Sequence, residues 1–125
     1  MSVLLDSDVV IEVLRSRDLP VMEQWHSLAD SGEAILFSPV TAAEIWAGLR
    51  AEERQPTAQL FNFLTCVQAD YSTGELAGQL LLRFSKSHGL KIADALIAAS
   101  AIQHKAALWT RNRKHYPMLE LNFYS

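Results

Sequence analysis

The sequence predicts an α/β protein: a parallel central sheet of about four to five strands, flanked by helices on both faces. Three observations carry that expectation. Apolar runs of strand length recur at 2–5, 34–37, 66–69 and 106–110. Between them lie stretches whose apolar residues repeat at helical spacing. The connections are all too long for hairpins, so crossover helices join strands that run parallel. With 125 residues, half of them apolar, the chain reads as one domain over 1–125, able to bury roughly two-thirds of its unfolded surface.

The first strand, 2–5, ends at Asp6. Asp8 then caps a helix over roughly 9–16 that buries Val9, Val10, Val13 and Leu14. Pro20 starts a second helix, which runs to about Asp30 and is broken by Ser31-Gly32. The second strand, 34–37, leads into Ser38-Pro39, a cap followed by proline at the first helical position. That third helix reaches about Glu53, and Gln55-Pro56-Thr57 separates it from a short helix over 58–64. A third strand falls at 66–69, with Cys66 read as a core residue rather than a nucleophile. Ser72-Thr73-Gly74-Glu75 has capping-box spacing and opens a long helix stopped by Gly89. Asp94 heads a helix to about Lys105; 106–110 is the last strand, before a polar turn and a short helix or loop.

Composition excludes several classes. A single cysteine forms no internal disulfide and implies a reducing compartment. No apolar run approaches a membrane span, and Asp6 and Asp8 interrupt the first one as no signal peptide would. The expectation is a cytoplasmic protein with no membrane partner. Net charge is only −3, but it divides unevenly: −8 over 1–82 and +5 over 83–125. The basic third, joined by His88, His104 and His115, suits a polyanionic partner. There is no Gly-rich phosphate loop, no zinc-type Cys/His spacing and no local nucleophile triad.

In parallel α/β sheets ligands bind outside the carboxyl ends of the strands. Three acids sit at such positions inside apolar sequence: Asp6 after the first strand, Glu44 early in the helix after the second, and Asp94 before the last. Each alone has an ordinary structural use, as an Asx-turn, a capping glutamate or a residue favoured by a helix N-terminus. Together they form a repelling carboxylate set that a hard divalent cation resolves, and the absence of any organic-cofactor motif favours Mg2+ or Mn2+. Such an ion suits water attack on a phosphodiester.

Four segments then resemble the motifs of PIN-domain ribonucleases. They are Leu4-Leu5-Asp6-Ser7-Asp8-Val9-Val10-Ile11, Val40-Thr41-Ala42-Ala43-Glu44-Ile45-Trp46-Ala47-Gly48-Leu49, Ile92-Ala93-Asp94-Ala95-Leu96-Ile97-Ala98-Ala99-Ser100-Ala101 and Trp109-Thr110-Arg111-Asn112-Arg113-Lys114-His115-Tyr116. In this compact length the chain is similar to the VapC-type toxins of toxin–antitoxin pairs. The resemblance implies a single PIN-like domain over 1–125 and a Mg2+- or Mn2+-dependent endoribonuclease with Asp6, Glu44 and Asp94 as catalytic metal ligands. It implies supporting roles for Asp8, Thr110 and Asn112, and RNA contacts from Arg111, Arg113 and Lys114. It also implies RNA as substrate, a small VapB-type antitoxin as partner and a homodimer. Where the family often carries a fourth acid this chain has Asn112, which argues for one bound ion rather than two.

Other classes remain open on the residues. Asp6-Ser7-Asp8-Val9-Val10 fits the D-x-D-x-V start of haloacid-dehalogenase-type phosphatases, but no acid pair follows Asp94. A phosphorylated receiver module would need an acceptor Asp after a central strand, where only Glu52-Glu53-Arg54 stands. The non-enzymatic alternative is a catalytically weak or inactive PIN-like RNA- or protein-binding module, and Asn112 is its best support.

Overall fold

The computed structural model describes all 125 residues. The elements follow in the order β1 (Val3–Leu5), α1 (Ser7–Arg15), α2 (Leu19–Asp30), β2 (Ile35–Phe37), α3 (Pro39–Ala47), α4 (Arg54–Phe63), β3 (Thr65–Cys66), α5 (Tyr71–His88), α6 (Ile92–Gln103) and β4 (Ala107–Trp109). Short 3-10 turns lie at Ala51–Glu53 and Arg113–His115. The four strands are all parallel, in the order β3-β2-β1-β4.

Strand side chains alternate between faces, and here both faces are buried, as a parallel sheet requires. Val3, Leu5, Ile35, Phe37 and Trp109 point to one face, packed on Val9, Val10 and Val13 of α1, Trp25 and Leu28 of α2, and Ile45 of α3. Leu4, Leu36 and Leu108 point to the other, packed on Ala77 and Leu80 of α5 and on Ile97, Ala98 and Ala101 of α6. Ala95, Ala98, Ala99 and Ala101 of α6 are fully buried, and their small side chains let that helix lie close against the sheet and α5.

The chain lays down β1, β2 and β3 in one direction, then returns to place β4 on the far side of β1. That reversal makes the carboxyl ends of β1 and β4 the topological switch point. The ladder continues past the strands there, since the Asp6 N–H donates to the Trp109 carbonyl at 2.9 Å. Residues 6 and 110 are thereby held side by side.

Several boundaries differ from expectation for identifiable reasons. The cap of α1 is Asp6, not Asp8; its carboxylate accepts from the Ser7 N–H, and Asp8 falls in the first turn. α2 begins at Leu19, one residue before Pro20, because Asp18 caps it by accepting from the Val21 N–H. The third helix ends at Gly48, and a separate helix starts at Arg54 and takes Pro56 into its first turn. Proline costs little there, because first-turn N–H groups have no partner within the helix. The box opening α5 pairs Asp70 with Thr73, leaving Ser72 inside the helix. β3 is a two-residue edge strand, so Cys66 is exposed rather than core.

Candidate active site

Asp6 is 8% exposed, and its two oxygens accept three hydrogen bonds. Oδ1 receives the Ser7 N–H at 2.7 Å. Oδ2 receives the Thr110 hydroxyl at 2.8 Å and the Tyr116 hydroxyl at 2.9 Å. A buried carboxylate is tolerable on these terms, because every lone-pair direction used is met by a donor. Burial first, and then the negative charges of Asp6 and Asp94, push the Tyr116 phenol upward, so it stays a neutral donor.

Glu44 lies on the exposed side of α3, and its Oε1 accepts from the Ser7 hydroxyl at 2.6 Å. Ser7 also approaches the fully buried Thr41 hydroxyl at 3.3 Å, so one short side chain ties the end of β1 to α3. Asp94 stands half-buried in the first turn of α6, raised by its burial, then by the charge of Asp6 and, further, by Glu44; His115 and Lys91 pull the other way. Asp8 is raised to about 6, by burial and then by Asp6. Its Oδ2 accepts from the Arg111 N–H at 3.1 Å, while its Oδ1 is buried with no partner at all.

The structure thus brings Asp6, Asp8, Glu44, Asp94 and Thr110 to one end of the sheet. The donor set is entirely hard oxygen and predominantly negative, with one orphaned carboxylate oxygen among it. That chemistry fits a hard divalent cation with oxygen ligands. The acids are not gathered to a common coordination point: no three His, Cys, Asp or Glu side chains stand as a ready ligand group. Like charges hold one another apart.

Other expected residues lie elsewhere or do something else. Asn112 is exposed at the head of the 3-10 turn, where its backbone N–H donates to Thr110 Oγ1. Lys114 is exposed and in no ion pair. Arg113 donates to the Tyr124 carbonyl at 3.2 Å and lies over the Phe123 ring. Arg111 turns inward, giving Nη1 to Glu12 Oε1 at 3.0 Å and Nη2 to Asp18 Oδ2 at 2.9 Å. Its charge is neutralised by α1 and by the cap of α2.

Sequence reading missed Ser7, Glu12 and Tyr116. Ser7 and Tyr116 lie within the quoted motif segments, but a hydroxyl in a motif does not announce its partner. Glu12 carries a visible signal, a carboxylate among the buried valines of α1. Against the penalty of its burial, the amides of Arg17 and Asp18 and the guanidiniums of Arg17 and Arg111 hold it below the usual carboxylate range. Beyond Asp94, a cleft of about 340 Å3 opens between α5, α6 and the 3-10 turn, lined by His88, Gly89, Lys91, Asp94 and His115.

The chain is similar to known proteins over almost its whole length. The family model of the PIN domain matches residues 3–118. Ribonuclease VapC10 of Mycobacterium tuberculosis is 32% identical over 119 residues, covering 94% of this chain and 88% of that protein. Ribonuclease VapC19 of the same species is 30% identical over 116 residues, covering 92% of each. Among solved structures, VapBC-1 from nontypeable Haemophilus influenzae superposes with a TM-score of 0.80 at 19% identity, over 100% of this chain and 98% of the other. VapBC2 from Rickettsia felis, solved with a DNA fragment from its promoter, gives 0.79 at 22% identity, over 99% and 98%.

Proposed function

The chain belongs to the PIN-domain family, and from that premise we propose that it is a metal-dependent endoribonuclease, the toxin of a VapBC-type toxin–antitoxin pair. The observation that carries the reading is the placement of Asp6, Glu44 and Asp94 at the switch point between β1 and β4, where Ser7 bonds both Asp6 and Glu44. In this reading the whole chain, 1–125, is one PIN-like domain working in the cytoplasm as a homodimer. No helix is long and apolar enough to cross a membrane, and the single cysteine suits a reducing compartment.

Asp6, Glu44 and Asp94 are the proposed ligands of Mg2+, with Mn2+ as a substitute. When bound, the cation supplies neutralisation of the phosphodiester and an acidified water for attack on phosphorus. The protein's own contribution is orientation. Thr110 and Tyr116 fix Asp6 Oδ2, and Ser7 holds Glu44 toward the same end of the sheet. Asp8 adds a further charged oxygen without a partner. Asn112 offers an amide and no charge, which supports one tightly held ion rather than two. Arg113 and Lys114 are the exposed cations of the last motif available to the RNA backbone, with Arg111 acting behind them as an internal tie.

A second feature supports an antitoxin partner. A groove of about 290 Å3 beside Glu44 is lined by the apolar Ile11, Leu14, Ile45 and Leu49 and by charges of both signs, Arg15 and Arg50 with Glu52 and Glu53. An amphipathic antitoxin segment laid there would reach the acids.

Purified protein incubated with RNA, with and without Mg2+ or Mn2+, tests the assignment. Metal-dependent cutting that disappears in Asp94→Asn supports it. Cutting that survives Asp94→Asn overturns the site, and an inert wild type supports the PIN-like binding module, for which Asn112 already speaks.

A further inference from the structure

We infer that the cleft of His88, Lys91 and His115 is a phosphate subsite, holding a phosphodiester of single-stranded RNA next to the one that is cut. This rests on the ribonuclease reading for its substrate, but its three basic residues are separate from the proposed metal ligands, of which only Asp94 borders the cleft, and from Arg111, Arg113 and Lys114.

Three elements converge on the cleft. His88 closes α5, Lys91 precedes the first turn of α6, and His115 ends the 3-10 turn after β4. Gly89, left-handed at φ 66°, turns the chain between the first two, and Leu90 is buried beneath as an anchor. No apolar side chain lines the space. Its volume lies within the range of small-molecule sites, about 300–1,000 Å3.

None of the three basic side chains is in an ion pair, which sets them apart from the arginines nearby. Arg83 is paired with Glu120, and Arg111 with Glu12 and Asp18. Lys91 and His115 also make no side-chain hydrogen bond. The His88 ring is nevertheless held: Nδ1 lies 2.7 Å from the Ser87 hydroxyl, and the ring stands edge-on to Phe84 at 5.6 Å. A fixed imidazole, a second imidazole and a free ammonium are donors to a phosphate oxygen without a competing acceptor, apart from Asp94 at the border. The uncapped positive end of α6 adds to the same field. Asp94 is also what joins the cleft to the acidic centre, so a strand bound here passes directly to the proposed site of cutting.

Fluorescence anisotropy with a labelled single-stranded RNA, in EDTA so that nothing is cut, tests the subsite. Lys91→Gln, His115→Gln and the double variant are expected to weaken binding severalfold at low salt with unchanged melting. The dependence of log K on log salt should flatten by about 0.7 for the lost lysine contact. Inorganic phosphate added to wild-type protein should shift the NMR ring resonances of His88 and His115, a readout that needs no variant to fold. Unchanged affinity and slope in the double variant, or ring resonances indifferent to phosphate, overturn the subsite. Cleavage run in parallel with Mn2+ separates the two readings. Normal cutting with an unaltered KM in the double variant removes the subsite and leaves the ribonuclease. Wild type that binds RNA through these residues but never cuts leaves the subsite and removes the ribonuclease.

Discussion

At the scale of single residues, the site depends on how Asp6 is held. Two hydroxyls on one carboxylate oxygen fix its rotamer and direct its remaining capacity outward. Losing such an orienting partner typically costs about 10–100-fold in metal affinity or activity. Thr110→Val and Tyr116→Phe are each expected to lose that much, measured as kcat/KM across a Mn2+ titration, with the fold intact by circular dichroism. Asp8 makes a different prediction. The unfolded chain releases this proton near the ordinary value of 3.8, and the folded chain only near 6. Between those values the folded state binds more protons, so this group's contribution to stability falls as pH rises. Asp8→Asn, melted in EDTA, should gain on wild type across that window, by about 1–2 kcal/mol above pH 6 after allowing for partial solvation. A stability difference that does not change with pH would refute the assignment. Asp6, Glu44 and Asp94 were readable from sequence because acids stand out in apolar runs. Tyr116 was not, because its partner lies 110 positions away.

At the scale of elements, what the sequence conveyed was existence and order, while the caps had to be seen. Asp6 and Asp8, or Asp70 and Ser72, are equivalent capping residues on paper. Which one caps depends on where the preceding backbone leaves the sheet or loop. At α5 the Asp70 carboxylate accepts from the Thr73 N–H and from the Ser72 hydroxyl, and the Thr73 hydroxyl is shared with Gln103 of α6. The Asp70 carboxyl is accordingly held below its usual range, first by Ser72 and then by Thr73. Asp70→Ala should lower the urea midpoint of unfolding, as loss of a helix cap does. Ser72→Ala should cost clearly less. Equal losses would mean that the capping box starts where the sequence alone suggested.

At the scale of the whole molecule, the uneven charge of the two chain segments is partly cancelled by the fold. Arg111 belongs to the basic third, yet its guanidinium reaches back across almost the full sequence to Glu12 and Asp18. No linear reading separates it from Arg113 and Lys114, which sit beside it in the same basic run and face outward. The fold gives these neighbours opposite consequences. Removing Arg111 leaves Glu12, with a side chain only 6% exposed, facing a weakened set of donors. Loss of one partner of a buried pair is costly, about 3–5 kcal/mol where burial is complete and less here, because the guanidinium is 42% exposed. Arg111→Ala should lower the melting temperature and loosen the turn that carries Thr110. Since Glu12 is held below the usual carboxylate range, its contribution is present above the unfolded value and lost as pH falls through the folded one. The destabilisation by Arg111→Ala should therefore shrink on acidification. Lys114→Glu should instead leave melting nearly unchanged, and both it and Arg113→Glu, which also gives up the Tyr124 and Phe123 contacts, should weaken RNA binding in EDTA and flatten its salt dependence. Should Arg111→Ala melt like wild type while RNA binding alone suffers, the inward pairing would be wrong and all three cations would belong to the RNA surface.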